Sequence, residues 1–303
     1  MADYDPGVQQ QIGIIGIGRM GAPIAARLVD AGLSVAVHDV RAEREQAARD
    51  CGAQWRPSAC AAAAGANVLI TVLPGPVEVT AAVTEEVLAA LAPGATWIDM
   101  SSNAPAAAAF LRERAEARGI GVLEAPIGGS PADAETGSLR LFVGGDGELL
   151  ARHRALLELV ADPCRIALVG GPGAGYTVKL LINLLWFGQA AATAEALLLG
   201  QRAGVDLKVL RDTLAESAAG SDFIRRDLSS LFVGDYLASY PLDRIHDQLT
   251  VVASMAAELA TPYTITEQVR SLHQQALERY GAVDGELLAV ALLEEQAGTR
   301  LRG

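Results

Sequence analysis

Gln11-Ile12-Gly13-Ile14-Ile15-Gly16-Ile17-Gly18-Arg19-Met20-Gly21-Ala22-Pro23 is an apolar run that enters a glycine turn and leaves it as a helix. The pattern predicts a strand over residues 11–17, a helix over 23–31 and a second strand over 34–38. Gly16, Gly18 and Gly21 form a G-x-G-x-x-G motif, with Ile17, Arg19 and Met20 in the intervening places. The first two glycines permit a tight turn and close approach of backbone to a pyrophosphate. The third lets helix and strand pack, and the helix N-terminus faces the anion. Asp39 closes the second strand 23 residues beyond Gly16, near the interval expected of a carboxylate that bonds the adenosine ribose hydroxyls. Such a carboxylate repels a 2′-phosphate and favours NAD. Arg41 can pair with that phosphate, which keeps NADP as the second cofactor.

Working outward, further apolar runs fall at 68–73, 96–100, 121–124 and 139–143, with alanine-rich helices at 61–64 and 106–109. Strands alternating with helices predict a mostly parallel sheet covered on both faces. Three loops follow strand C-terminal ends, where ligands collect in open α/β sheets. They are Leu73-Pro74-Gly75-Pro76, Asp99-Met100-Ser101-Ser102-Asn103 and Glu124-Ala125-Pro126-Ile127-Gly128-Gly129-Ser130. After Gly170 the strand pattern stops. Residues 176–203 read as one long helix, apolar nearly all round and so buried on several sides. Helices over 207–217, 242–258, 262–280 and 286–296 follow. The expected organisation is a disordered N-terminal extension (1–10), a dinucleotide-binding α/β domain (11–170) and an all-helical domain (171–303).

Lys179 is one of two lysines against twenty-two arginines. Arginine stays protonated at working pH, whereas a partly buried lysine can exchange a proton. Lys179 precedes Asn183 by four residues, which places both on one helix face. Elsewhere the composition narrows the function. A net charge of −12 argues against nucleic-acid binding, which needs a basic footprint. The hydrophobic segments are broken by charged or polar residues before the roughly 20 apolar residues of a membrane span, and residues 1–10 are too polar for a secretory signal. Neither the three cysteines nor the four histidines have metal-ligand spacing. Each cysteine reads as a small core residue, and the protein as cytoplasmic and metal-free.

Together these motifs resemble the β-hydroxyacid dehydrogenase family, which includes 3-hydroxyisobutyrate dehydrogenase and tartronate semialdehyde reductase. The resemblance runs from Gly13 through the Leu-Pro, Asp-Met-Ser-Ser and Glu-Ala-Pro-Ile-Gly-Gly segments to Lys179 and Asn183, nearly the whole chain. It implies an α/β Rossmann-type domain, a long interdomain helix and an all-α domain like that of 6-phosphogluconate dehydrogenase. It also implies reversible oxidation of a 3-hydroxy acid to a semialdehyde or keto acid. Lys179 is then the catalytic acid/base and Asn183 its positioning partner, with Leu73, Pro74 and Ser102 at the cofactor. The family's late Lys-Asp pair, whose lysine helps hold the cofactor, falls on His246-Asp247. The serine that meets the substrate carboxylate is replaced by Gly128, which leaves backbone donors at Gly128 and Gly129 and the hydroxyl of Ser130 nearby. Ser102 is expected to serve substrate as well as cofactor. Trp186 and Phe187 are candidates to line a larger pocket, Arg225 and Arg226 to grip a carboxylate. An incompletely covered apolar helix suggests a homodimer or homotetramer. Imine reductases share the fold but usually carry Asp or Tyr at the lysine position and favour NADP; a non-catalytic dinucleotide-binding module has no need of the Lys179–Asn183 pair.

Overall fold

The computed structural model describes residues 10–303; the extension expected over 1–10 lies, except for Gln10, outside the described residues. The chain divides by its internal contacts into two compact units, one ending at Lys179 and the other spanning Leu180–Gly303. The division falls inside the long helix Ala174–Arg202.

The first unit is built on one nine-stranded sheet. Its strands are β1 (Gln11–Ile15), β2 (Ser34–His38), β3 (Gln54–Trp55), β4 (Val68–Thr71), β5 (Thr96–Asp99), β6 (Gly121–Glu124), β7 (Ile127–Gly128), β8 (Leu139–Gly145) and β9 (Ala161–Gly170). The order is β3-β2-β1-β4-β5-β6-β8-β7, with β9 pairing β8. The strands from β3 to β6 are parallel; β8 runs antiparallel to β6 and β7 and parallel to β9. This is the Rossmann-type layout expected. Alternate residues serve the two faces. Ile12, Ile14, Val68, Ile70 and Ile98 enter one core, while Leu69, Trp97 and Val122 enter the other. Both faces are therefore covered, as a parallel sheet requires.

The strands depart from expectation at the end of β1 and in β3, β7 and β9, the last three of which were not foreseen. β1 stops at Ile15 rather than residue 17, because Gly16 adopts a positive φ of 95° and turns the chain. β9 was not expected, because Asp162, Pro163 and Arg165 interrupt its apolar pattern. It is largely solvent-facing, and such residues suit an edge strand. The cysteines also depart from expectation: Cys51 is half-buried and Cys60 and Cys164 are exposed.

The second unit continues the long helix and adds Leu207–Glu216, Leu228–Phe232, Leu242–Glu258, Thr264–Tyr280 and Leu288–Ala297. One core gathers Leu197, Phe223, Leu228, Leu231 and Val290; another gathers Phe187, Leu242, Ile245, Leu249 and Ala276. The fully buried Glu294 secures the C-terminal residues. Its carboxylate accepts from Tyr236 Oη at 2.5 Å, Leu301 N at 2.7 Å, Arg300 at 3.1 Å and Arg302 at 3.2 Å. The long helix is less covered than its composition predicts. Leu181, Ile182, Leu185 and Leu199 are exposed, so its apolar perimeter exceeds what one chain buries.

Candidate active site

At the C-terminal end of β1 the three glycines divide between two roles. A Cβ on Gly16 would lie 2.3 Å from the Val72 carbonyl oxygen, and one on Gly21 would lie 2.0 Å from that of Gly16. Those two glycines exist for close backbone packing. Gly18 differs: the nearest group to a Cβ there is the Arg41 guanidinium at 3.4 Å, so its bare backbone remains approachable by a pyrophosphate. Helix Gly21–Asp30 begins with no side-chain cap and no acid in its first turn. Its orphan N–H groups and dipole thus suit an anion. Arg19 is exposed, Met20 half-buried, and Leu73 lies against Gly16, with Pro74 exposed beside it.

Asp39 is buried, and its carboxylate has two protein tasks. Oδ2 accepts from Ile17 N at 3.0 Å, which pins the glycine turn, and Oδ1 accepts from Arg41 N at 3.0 Å and Arg41 Nε at 3.4 Å. Carboxylate oxygens have further lone pairs, so Asp39 can still take a ribose hydroxyl. Arg41 offsets its charge, however, and weakens its repulsion of a 2′-phosphate. These residues fit a dinucleotide.

Thr71, Asp99 and Glu124 are register neighbours on β4, β5 and β6 and form a buried polar row at the C-terminal edge of the sheet. Asp99 Oδ1 accepts from Thr71 Oγ1 at 2.7 Å and Ser101 N at 3.0 Å. Its Oδ2 accepts from Tyr176 Oη at 2.8 Å and Asn103 Nδ2 at 3.1 Å. Ser101 Oγ accepts from Leu73 N at 3.0 Å, linking two of the loops; Ser102, the expected cofactor contact, is half-buried beside it. Glu124 accepts from Gly173 N at 2.5 Å and Gly175 N at 3.1 Å, at the start of the long helix. Burial pushes the Glu124 carboxyl up, against the opposing pull of those N–H donors and of Arg112. Burial, then the Asp99 and Glu124 charges, push the Tyr176 phenol well above its ordinary range, so it stays a neutral donor to Asp99. The first turn of the helix is thereby rooted in the sheet edge. Lys179 follows within the next turn, half-buried.

The Gly128-Gly129-Ser130 segment departs from expectation at its hydroxyl. Ser130 caps helix Pro131–Thr136: its Oγ lies 2.7 Å from Asp133 Oδ2, and its N–H donates to the same oxygen at 2.7 Å. That hydroxyl is engaged locally. A Cβ on Gly128 would meet the Phe142 ring at 3.1 Å, so the serine expected there would require that ring to give way slightly. Gly129, with φ 127°, is exposed.

In the helical unit, Asn183 Nδ2 donates to Gln248 Oε1 at 2.7 Å, and Gln248 Nε2 donates to Tyr240 Oη at 2.7 Å. Trp186, half-buried, is held by aromatic packing. Its ring meets Phe187 and Phe223 edge-on, with centroids 5.4 Å away in each case, and its Nε1 donates to Asp227 at 2.9 Å. Phe187 is buried in the core. His246 is half-buried on helix Leu242–Glu258, with Nε2 shielded from solvent and lacking a hydrogen-bond partner. Arg225 and Arg226 are exposed, and Arg225 pairs with Asp222.

Sequence reasoning placed Asp99 and Glu124 only as the first residues of two loops, and assigned no role to them or to Tyr176, Tyr240 or Gln248. A signal existed for three of them. Asp99 and Glu124 are acids ending buried strands, and Gln248 is a polar residue on the helix face of Ile245, Leu249 and Val252.

Comparison with known proteins agrees with this geometry. Residues 11–170 match the family model described as the NAD binding domain of 6-phosphogluconate dehydrogenase. Residues 173–293 match that described as NAD-binding of NADP-dependent 3-hydroxyisobutyrate dehydrogenase. A Pseudomonas aeruginosa NAD-dependent L-serine dehydrogenase is 36% identical over 214 residues, 70% of this chain and 71% of that protein. An Escherichia coli 3-sulfolactaldehyde reductase is 31% identical over 268 residues, 88% of this chain and 89% of its own. Among solved structures, Mycobacterium tuberculosis 3-hydroxyisobutyrate dehydrogenase with L-serine aligns with a TM-score of 0.85 at 27% identity, covering 94% of this chain and 99% of that one. With a nucleotide turn, a rooted lysine helix and matches along nearly its full length, the chain belongs to the β-hydroxyacid dehydrogenase family and is an NAD(P)-dependent oxidoreductase.

Proposed function

We propose that this enzyme reversibly oxidises the hydroxyl of a small 3-hydroxy acid, with Lys179 as general acid/base and Asn183 as its positioning partner. The observation that carries the reading is the rooting of the Lys179 helix by Glu124 and Tyr176 at the sheet edge where β1 delivers its glycine turn. Bound NAD(P) supplies the nicotinamide that exchanges hydride with the substrate carbon. Lys179 accepts the hydroxyl proton during oxidation and returns it during reduction, an assistance worth about 10²–10⁴ in rate. Backbone donors at Gly128 and Gly129 serve the substrate carboxylate. Asp39 favours NAD, and Arg41 gives NADP a foothold.

A panel of L-serine, 3-hydroxyisobutyrate and D-glycerate, each with NAD and NADP, tests this reading. A cyclic imine with NADPH is run in parallel. Reduction of NAD by at least one hydroxy acid is expected. Turnover of the imine alone, or dinucleotide binding without turnover of any member, would refute it.

A further inference from the structure

We infer that Gln248, seated on Tyr240, is a positioning residue that sets which end of the Asn183 amide faces the reaction. The inference rests on the Lys179 reading above. An asparagine amide has a donor end and an acceptor end of nearly the same shape. Here the donor end is engaged: Nδ2 gives a 2.7 Å bond to Gln248 Oε1, and Gln248 Nε2 gives a 2.7 Å bond to Tyr240 Oη, which in this arrangement accepts. Gln248 is only 8% exposed, on the helix face it shares with Ile245, Leu249 and Val252, where a polar side chain is costly unless bonded. Burial pushes the Tyr240 phenol up to about 12, so it stays a neutral hydroxyl, and the amide orientation is what the substitutions below test.

The consequence is chemical. A neutral lysine acts as base through one lone pair, and its N–H groups are donors. An asparagine carbonyl beside it accepts an N–H and leaves the lone pair for the substrate hydroxyl. The flipped amide would donate into that lone pair and occupy it. Gln248 thus keeps the base available without touching substrate or cofactor.

The test compares Gln248→Met with Gln248→Glu, using the hydroxy acid of the panel that turns over. Readouts are kcat, KM, dinucleotide affinity by fluorescence titration, and melting temperature. Glutamate still accepts from Asn183 Nδ2 and should hold kcat within about threefold, whereas methionine fills the space without an acceptor and should lower kcat about tenfold or more. Dinucleotide affinity should not change in either. A packing role predicts the opposite ranking, because methionine suits a buried site better than a carboxylate does. Gln248→Met turning over as fast as Gln248→Glu would therefore overturn the inference. Should Gln248→Met not fold, Tyr240→Phe carries the test: kcat several-fold lower supports the brace, and wild-type kcat overturns it. Lys179→Ala is run alongside. Full turnover there removes the underlying reading, whereas its loss together with full turnover in Gln248→Met removes the brace alone.

Discussion

In the proposed mechanism Lys179 is the residue on which the chemistry turns, and that role is separable from charge by substitution. Lys179→Arg preserves a cation on the helix but places there a guanidinium that cannot serve as base. Turnover in that variant should fall by about 10² or more, the lower range for general acid/base assistance, while NAD affinity measured by fluorescence titration stays close to wild type. Near-wild-type kcat would remove the acid/base role. The lysine was legible because the chain uses arginine almost everywhere else. Its supports were not, since hydrogen bonds such as Tyr176 to Asp99, 77 positions apart, leave no local pattern.

The element that matters most is the opening of the long helix. Glu124 satisfies the N–H groups of Gly173 and Gly175, and Tyr176 adds a fourth donor to the buried Asp99. Glu124→Ala leaves two N–H groups without their acceptor, at about 1–3 kcal/mol each when buried. The expected result is a lower urea midpoint and a kcat loss exceeding any change in dinucleotide affinity. An unchanged midpoint would show that the cap contributes nothing. At this scale the central strands and the longer helices of the second unit were readable from periodicity, whereas helices Gly147–Leu157 and Leu228–Phe232 were not. Helix Leu242–Glu258 falls where its pattern put it. β9 did not follow a pattern, because an edge strand has no face that must be wholly apolar. Ser130 shows the same limit in the site: a hydroxyl near the substrate loop could be read from sequence, but its commitment to a capping box with Asp133 could not.

Over the whole molecule, each unit contains a buried imidazole, His153 in the first and His273 in the second. Burial lowers both to about 4. Between that value and the unfolded value near 6.5, the unfolded chain binds more protons. Stability is therefore fully present above pH about 6.5 and is lost as pH falls through about 4, by on the order of 3 kcal/mol for each histidine. Glu124, raised by burial, works in the opposite direction. Urea midpoints should fall from pH 6.5 to 4, and a His153→Gln, His273→Gln double variant should flatten the slope; an equally steep slope would refute the assignment. The exposed Leu181, Ile182 and Leu185, neighbours on the long helix, form an apolar surface of the kind that marks association. Sedimentation should find a homodimer or larger species, and a strictly monomeric enzyme would contradict that expectation.

The rooting of the long helix also determines where the protein can be cut and rejoined. The first compact unit ends at Lys179, nine positions beyond the sequence boundary at 170. A chimera spliced at Gly170 would import a foreign helix start that must find Glu124 and Asp99 afresh. A splice after Lys179 would retain the proposed acid/base on its native root and exchange Asn183, Gln248 and the rest of the helical unit as a block. Recombination at that second junction would keep Lys179 on its native root while Asn183 and its Gln248 support travel together, so the partner of the proposed base would be inherited with the helical unit as one piece.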